Sequence, residues 1–313
     1  MLKKVIKVLK DPAILFRSTC WGVGIVENFF EEDILTKKMD DICWIEGNHA
    51  GDFFADPFIT DYFGEPIIFF ENYFEKENRG NISYIALSEL NQTRNNRPIN
   101  HPSVRTALDL PTHLSYPYLF EYGGELYMVP ENYQSHTISL YKSNGSPDMW
   151  EKVTTFIDDF DGIDTTIFEH NGKWWMFSTL RVGGTPSQHS ELYIWHSNSP
   201  LEGWVAHKMN PIKYEEPIAR GAGKPFVVGD KLYRPAQDCS RVYGGELLIK
   251  EIVTLTTDDF CEKTVKKLSG YHPFEDAFHT YNCCNSVAVI DGTRNKYSIA
   301  HAFYLVKSIL TKR

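Results

Sequence analysis

The sequence predicts an all-β fold, a five-bladed β-propeller in a single domain, on three observations. The chain repeats at a period close to 60 residues, each copy reads as two apolar strands around a tight turn, and the composition suits one large core. Of the 313 residues 42% are hydrophobic, 14% aromatic and 23% charged, which excludes disorder, collagen and coiled coil. A two-sheet sandwich is the competing all-β fold, but it predicts no repeat near this period.

Residues 1–17 come first. Leu2, Val5, Ile6 and Leu9 fall at helical spacing, with Lys3, Lys4, Lys7 and Lys10 on the remaining surface, so a short basic amphipathic helix is expected ahead of a propeller over 18–313. Two readings stand: peripheral contact with an anionic membrane, where lipid-linked acceptors are found, or a helix packed on the domain.

The first two copies align at an offset of 60, Phe58 to Glu65 on Tyr118 to Glu125, and both run into Glu-Asn-Tyr, at 71–73 and 131–133. A third copy spans Asp164 to Phe177, a fourth Lys224 to Arg234 with a shorter turn, and a fifth, the weakest, lies around Ser286 to Gly292. Each is a β-hairpin signature. Further strands follow in the same order, since Leu140 to Asn144 ahead of Trp150 matches Ile194 to Asn198 ahead of Trp204 at an offset of 54. Four strands in each of five units result.

In a propeller the first strand of every blade lines the central channel, so equivalent positions converge at one mouth. Here these are Asp56, Tyr116, Asp164, Lys224 and Cys284, spaced by 60, 48, 60 and 60. The hairpins return Glu71 beside Asp56, Glu131 near Tyr116 and Gln237 near Lys224. Carboxylates with aromatic neighbours are what sugar chemistry uses, one group to orient hydroxyls or stabilise a cationic anomeric carbon and another to move a proton. The bland alternative is a wet channel that gathers ionisable groups. His113 and His279 precede inner strands and reach the same mouth, as acid/base, phosphate donor or structural hydrogen-bonding group.

The fourth copy departs from the acidic pattern. Ala219-Arg220-Gly221-Ala222-Gly223-Lys224-Pro225 and the returning Arg234-Pro235-Ala236-Gln237-Asp238 bring cations and small residues, which suit phosphate or neutralise the acidic mouth. Pro225 rules out a P-loop, where Ser or Thr and a helix would follow the lysine. Gly22 and Gly24 lack the third glycine and the βαβ setting of a dinucleotide site. No His/Cys/Asp cluster has metal-ligand spacing, so no dedicated protein-bound metal is expected.

Composition bounds the partners. Acidic residues outnumber basic ones 41 to 32, a balance unsuited to nucleic acid. Six cysteines without metal spacing or dense framework, no secretory signal and no apolar run of spanning length lead to the expectation of a cytoplasmic protein, peripheral at most on the inner face of the membrane.

The combined motifs carry a resemblance. Ala55-Asp56-Pro57-Phe58, Phe69-Phe70-Glu71-Asn72-Tyr73, His113-Leu114-Ser115-Tyr116-Pro117, Pro130-Glu131, Ala219 to Gly223 and Tyr233 to Asp238 resemble the N-terminal propeller domain of plant glucosamine inositolphosphorylceramide transferases, and similar stand-alone bacterial proteins of surface polysaccharide synthesis. The resemblance runs from about Trp21 to about Asp291. More distantly, Asp56 and Asp164 resemble the first-blade base and third-blade orienting acid of family 43 glycoside hydrolases. The fourth-blade acid of that family is absent here, and without it an alkoxide leaving group lacks its proton.

A phosphate leaving group needs cations instead. The resemblance to polysaccharide ribofuranosyltransferases therefore implies a glycosyltransferase that moves a (phospho)ribofuranosyl group from phosphoribosyl pyrophosphate to a glycan or lipid-linked glycan acceptor. Asp56 and Asp164 would be catalytic and Arg220, Lys224 and Arg234 would hold phosphates. His113, Tyr116, Glu71, Glu131, Gln237 and His279 would complete the binding surface. No tightly bound cofactor is expected, magnesium would enter only with the donor, and a phosphatase that trims the transferred sugar is a candidate partner. The alternatives are a family 43-like hydrolase of furanosides and a non-catalytic glycan-binding propeller.

Overall fold

The computed structural model describes residues 17–47, 51–90, 103–182 and 187–297. The basic segment expected at the N-terminus lies outside these residues, apart from Arg17, where the first strand begins.

That strand, β1 (Arg17–Glu27), and β2 (Cys43–Glu46) find their partners at the far end of the chain. They pair with β21 (Val287–Tyr297), itself paired with β20 (Tyr281–Cys284), so the fifth blade is built from both ends of the described chain. The register runs from Arg17↔Tyr297 to Glu27↔Val287. Eleven residue pairs thus close the ring, and closure removes the edges that an open sheet would expose.

The other four blades are consecutive antiparallel sheets. The first contains β3 (Phe53–Tyr62), β4 (Glu65–Phe74), β5 (Arg79–Ala86) and β6 (Arg105–Leu108). The second contains β7 (Ser115–Tyr122), β8 (Glu125–Glu131), β9 (Thr137–Ser143) and β10 (Trp150–Asp158). The third contains β11 (Gly162–His170), β12 (Lys173–Leu180), β13 (Glu191–Ser197) and β14 (Val205–Ala206), with β15 (Ile212–Lys213) also on β13. The fourth contains β16 (Phe226–Val228), β17 (Lys231–Asp238), β18 (Glu246–Leu255) and β19 (Phe260–Leu268). The predicted five-bladed propeller is the fold found. Phe69, Phe70, Tyr118, Met128, Ile194, Ile249 and Val289, on inner and middle strands, are essentially inaccessible and form the apolar layers between blades.

One local device aims side chains at the axis. In the first three blades the pairing of the two inner strands slips by one residue: Ala55↔Glu71 is followed by Phe58↔Phe69, Ser115↔Glu131 by Tyr118↔Val129, and Ile163↔Thr179 by Thr166↔Phe177. Each slip is a β-bulge. Its first residue, Asp56, Tyr116 or Asp164, has a left-handed backbone with φ of 52°, 43° and 49°. Such backbone costs about 1–3 kcal/mol per residue and persists only where surrounding contacts over-determine it.

The fourth blade has no such bulge at Lys224. Its inner strand begins only at Phe226, and in the glycine-rich run ahead of it a Cβ on Gly221 would stand 2.9 Å from the Asp164 carbonyl oxygen and 3.1 Å from Tyr116 Oη. Gly223, at φ 136°, leaves no room for a Cβ against the Tyr281 carbonyl. These glycines serve close packing of chain on chain.

Candidate active site

The starts of β3, β7 and β11 open into a cavity of about 420 Å³. Its walls are aromatic, with Trp21, Phe53, Tyr73 and Tyr243, and its floor carries Asp56, Glu71, Glu131, Arg220 and His279. The first and last blades supply one half of the polar floor and the second, third and fourth supply the other.

In the first half the bulge holds Asp56 in a net of donors. Its Oδ2 accepts the Tyr116 N–H at 3.3 Å and its Oδ1 the Thr280 Oγ1–H at 3.0 Å, while its own N–H donates to Asp291 Oδ2 at 3.0 Å. His279 Nδ1 lies 2.6 Å from Asp291 Oδ2 and 3.7 Å from Asp56 Oδ1. The His279 ring stacks on Trp21 with centroids 3.9 Å apart. Beside this group, Glu71 Oε1 is 3.6 Å from His113 Nε2. His113 Nδ1 accepts the Gly80 N–H at 2.8 Å, so the neutral ring carries its proton on Nε2, facing Glu71.

In the other half Asp164 lies below the surface of the cavity. Its Oδ2 accepts from Arg220 Nε at 2.6 Å and Gln237 Nε2 at 2.9 Å, and its N–H donates to Glu131 Oε2 at 3.3 Å. The Arg220 guanidinium, 3.9 Å from Glu131 Oε2, sits over the Tyr243 ring at 5.0 Å. Arg181 lies over Tyr133 at 3.9 Å and presents an exposed cation at the cavity wall.

Burial dominates the proton affinities. Desolvation pushes the Asp56 carboxyl up to about 6, against the pull of His279. It also raises Glu71 well above the usual carboxylate range, reinforced by the charge of Asp56, and Glu131 likewise, reinforced by Asp164. Burial lowers His113 to about 4, with Arg181 and Arg79 adding repulsion. Burial works against a charged His279 as well, but Asp291 and Asp56 outweigh it and raise its pKa. The mouth therefore combines an Asp56 carboxyl at about 6 with two glutamates whose proton affinity burial also raises, the kind of environment in which carboxyl groups are tuned for proton transfer.

Residues 42–282 match the family of the N-terminal domain of glucosamine inositolphosphorylceramide transferase 1. The chain belongs to this family. It is 34% identical over 222 residues to glucosamine inositolphosphorylceramide transferase 1 of Oryza sativa subsp. japonica, and 32% over 215 residues to that of Arabidopsis thaliana. The alignments cover 70% and 68% of this chain but 29% and 27% of those proteins, so the chain spans under a third of the relatives it matches. Among solved structures, an α-L-arabinofuranosidase from Lactobacillus brevis superposes with a TM-score of 0.53 at 12% identity, covering 79% of this chain and 85% of the enzyme. That likeness is one of fold.

The family motifs map unevenly onto the cavity. Asp56, Glu71, His113, Glu131, Arg220 and His279 meet there. Tyr116, Asp164 and Gln237 are buried beneath it, with the Tyr116 hydroxyl accepting the Gly223 N–H at 2.7 Å and Gln237 donating to Asp164 and the Gly221 carbonyl. Two expected phosphate ligands lie elsewhere. Lys224 is at the opposite mouth, a cavity of about 500 Å³ at the far ends of the inner strands, together with Asp61, Glu121, Glu169 and Cys284. Lys224 stands ahead of β16, which begins at Phe226, and away from Asp56 and Asp164. Cys284, the last residue of β20, lies at the same far mouth.

Arg234 is sealed inside the fourth blade. Its Nε and Nη2 donate to Glu262 Oε2 and Oε1 at 2.9 and 2.7 Å, its Nη1 to the Ala219 carbonyl, and Lys250 Nζ takes the same carboxylate at 2.8 Å. Two cations share one anion. Burial pushes Lys250 down to about 8, while Arg234 and Lys250 overcome burial to hold Glu262 at about 2. Sequence reasoning missed the cavity residues Trp21, Phe53, Tyr73, Arg181, Gln188 and Tyr243, along with Asp291. Tyr73 stands within the repeated Glu-Asn-Tyr and was legible; Trp21 was not, because its strand joins the last blade.

Asp56, His279 and Asp291 offer ligand atoms within 4.8 Å of one another, the spacing of a metal cage. Each carboxylate oxygen of the trio already accepts an N–H or O–H, from Tyr116, Thr280, His279 or Asp56. These donors fix the orientation of the trio and make it a hydrogen-bond network as it stands.

Proposed function

We propose that this chain is a glycosyltransferase that takes a phosphate-activated sugar, with phosphoribosyl pyrophosphate as the donor to test first. The observation that carries this reading is Asp56, a carboxylate poised near pH 6 by burial, fixed by two donors at the floor of an aromatic-walled cavity that also presents the Arg181 and Arg220 cations. In the reaction the acceptor hydroxyl loses its proton to Asp56 as its oxygen bonds to the anomeric carbon. The bond from that carbon to the phosphate oxygen breaks, and its electron pair leaves on the phosphate. Arg181 and Arg220 balance the charge that develops there. Glu71 and Glu131 hydrogen-bond sugar hydroxyls, and the aromatic walls take the apolar faces of the rings. The bacterial surface polysaccharide setting, a lipid-linked acceptor at the inner face of a cytoplasmic membrane and a trimming phosphatase belong to the same reading.

Isothermal titration with phosphoribosyl pyrophosphate tests it. Micromolar binding that Arg181→Ala and Arg220→Ala abolish is the expected result; a wild-type protein silent to every sugar phosphate would remove the reading. One observation favours a second function. Burial raises the proton affinity of Glu71 and Glu131 well above the usual carboxylate range, so either could supply the acid that the fourth blade lacks, as furanoside hydrolysis requires. Release of aryl alcohol from aryl furanosides, lost in Asp56→Asn and Glu71→Gln, would establish the hydrolase instead.

A further inference from the structure

The Asp291 carboxylate is wholly inaccessible, yet all its contacts concern the mouth of the channel. Its Oδ1 accepts the backbone N–H groups of His279 and Thr280 at 3.1 and 2.9 Å. Its Oδ2 accepts the Asp56 N–H and lies 2.6 Å from His279 Nδ1. The imidazole is held on two further sides, by the Trp21 ring and by Gly244, where a Cβ would stand 2.6 Å from His279 Cδ2. Tyr243 meets the ring edge-on at 5.5 Å. Nε2 is the ring position left over: it has no hydrogen bond among the described residues, and His279 lines the cavity.

We propose that Asp291 is a positioning residue that locks His279 with a proton on Nδ1 and turns its Nε2–H into the mouth, where it donates to a phosphate oxygen of the sugar substrate. The inference rests on the phosphate-activated donor proposed above and supplies what Lys224 and Arg234, both elsewhere, do not. The groups facing the imidazole are Asp291 from β21, Asp56 from β3, Thr280 Oγ1 at 3.2 Å and, farther off, Asp164 from β11. Three carboxylates around one ring favour its cationic form, and a cation that can lose its charge makes donor binding pH-dependent, which an arginine could not do.

Asp291 has a second consequence through its bond to the Asp56 N–H. It joins the last blade to the first at the bulge, so the seam that closes the ring also sets the angle of the base. One buried side chain thereby aligns both the proton acceptor and the phosphate donor group.

Long-range proton–nitrogen NMR of the imidazoles tests this, with the His279 signals assigned by their loss in His279→Gln. In ligand-free wild-type protein the expected result is a His279 that titrates above an ordinary imidazole, carries its Nδ1 proton on both sides of that titration, and moves to lower pH in Asp291→Asn. Saturating phosphoribosyl pyrophosphate should shift the Nε2 signal, and its affinity should fall up to about tenfold per pH unit above the His279 titration point. In Asp291→Asn that break should appear at lower pH. A His279 that titrates at or below the ordinary imidazole value, an Nε2 unmoved by ligand that binds, or a break unmoved by Asp291→Asn overturns the proposal. Should Asp291→Asn not fold, the wild-type nitrogen shifts alone decide protonation and ligand contact. If no sugar phosphate binds to the wild type, the donor reading fails and the phosphate contact with it, while the ligand-free spectra still decide the Asp291–His279 lock.

Discussion

Arg220 Nε donates to Asp164 Oδ2 across 2.6 Å, and neither side chain is more than 8% exposed. The pair joins the third blade to the fourth beneath the cavity floor and places the guanidinium 3.9 Å from Glu131. Removing one partner leaves the other charge buried without compensation, a loss of about 3–5 kcal/mol in such settings. Arg220→Ala is expected to lower the unfolding free energy, read from urea denaturation, by that amount. Replacing both residues, as Arg220→Leu with Asp164→Leu, should cost less than the sum of the single changes. Strict additivity in the cycle would show that the pair carries no coupling.

On the proposed reading, in which Asp56 takes the acceptor proton, pH acts on activity and stability in opposite directions. With its carboxyl at about 6, such a base would be in its working form above that value, so transfer should rise as pH passes through 6 and Asp56→Asn should remove the limb along with about 10²–10⁴ in rate. The raised pKa also means that the folded state binds this proton more tightly than the unfolded chain. The stability this brings is full below the ordinary 3.8 and lost as pH rises through about 6, by up to about 3 kcal/mol. Asp56→Asn should therefore raise Tm more at pH 8 than at pH 4. An equal change at both would argue against burial as the cause of the shift.

Repeats carry geometry into sequence, and their failures mark where geometry changes. The offsets of 60 and 48 linking Asp56, Tyr116 and Asp164 coincide with three bulges of like backbone, because a left-handed residue at an inner strand fixes its place in every copy. Glu71 and Glu131 were legible for the same reason, as strand partners of Ala55 and Ser115. The fourth copy misled because its apolar hairpin aligns well while β16 begins only at Phe226, so Lys224 falls ahead of the strand and lines the opposite cavity. Arg234 could not be told from a ligand by sequence, since its partner Glu262 lies 28 residues away on β19. Trp21 and Asp291 share a blade only because the two ends of the described chain are joined in one sheet.

That misalignment yields a direct test at Lys224. The lysine lies at the opposite mouth, so Lys224→Ala should leave sugar-phosphate affinity within about twofold of wild type, while Arg181→Ala weakens it at least tenfold. Titration calorimetry of the two variants under one buffer condition makes the comparison. A loss in Lys224→Ala equal to that in Arg181→Ala would mean that the ligand threads the channel or binds at the far mouth.

Glu262 is the counter-ion of both Arg234 and Lys250, and Tyr214 donates its hydroxyl proton to the same carboxylate at 2.5 Å. Its pKa, held at about 2 against an ordinary 4.5, gives the fold an acid-sensitive clamp. Between those values the unfolded chain takes up a proton that the folded protein refuses. The contribution is complete above 4.5 and is lost as pH falls toward 2, about 3 kcal/mol in all. Glu262→Gln should destabilise the protein by about 3–5 kcal/mol at pH 7, because two buried cations lose their only shared anion. The same variant should also show a shallower fall in stability between pH 4.5 and 2 than the wild type. Denaturant unfolding across that range reads both effects, and parallel pH curves for the two proteins would locate the acid sensitivity elsewhere.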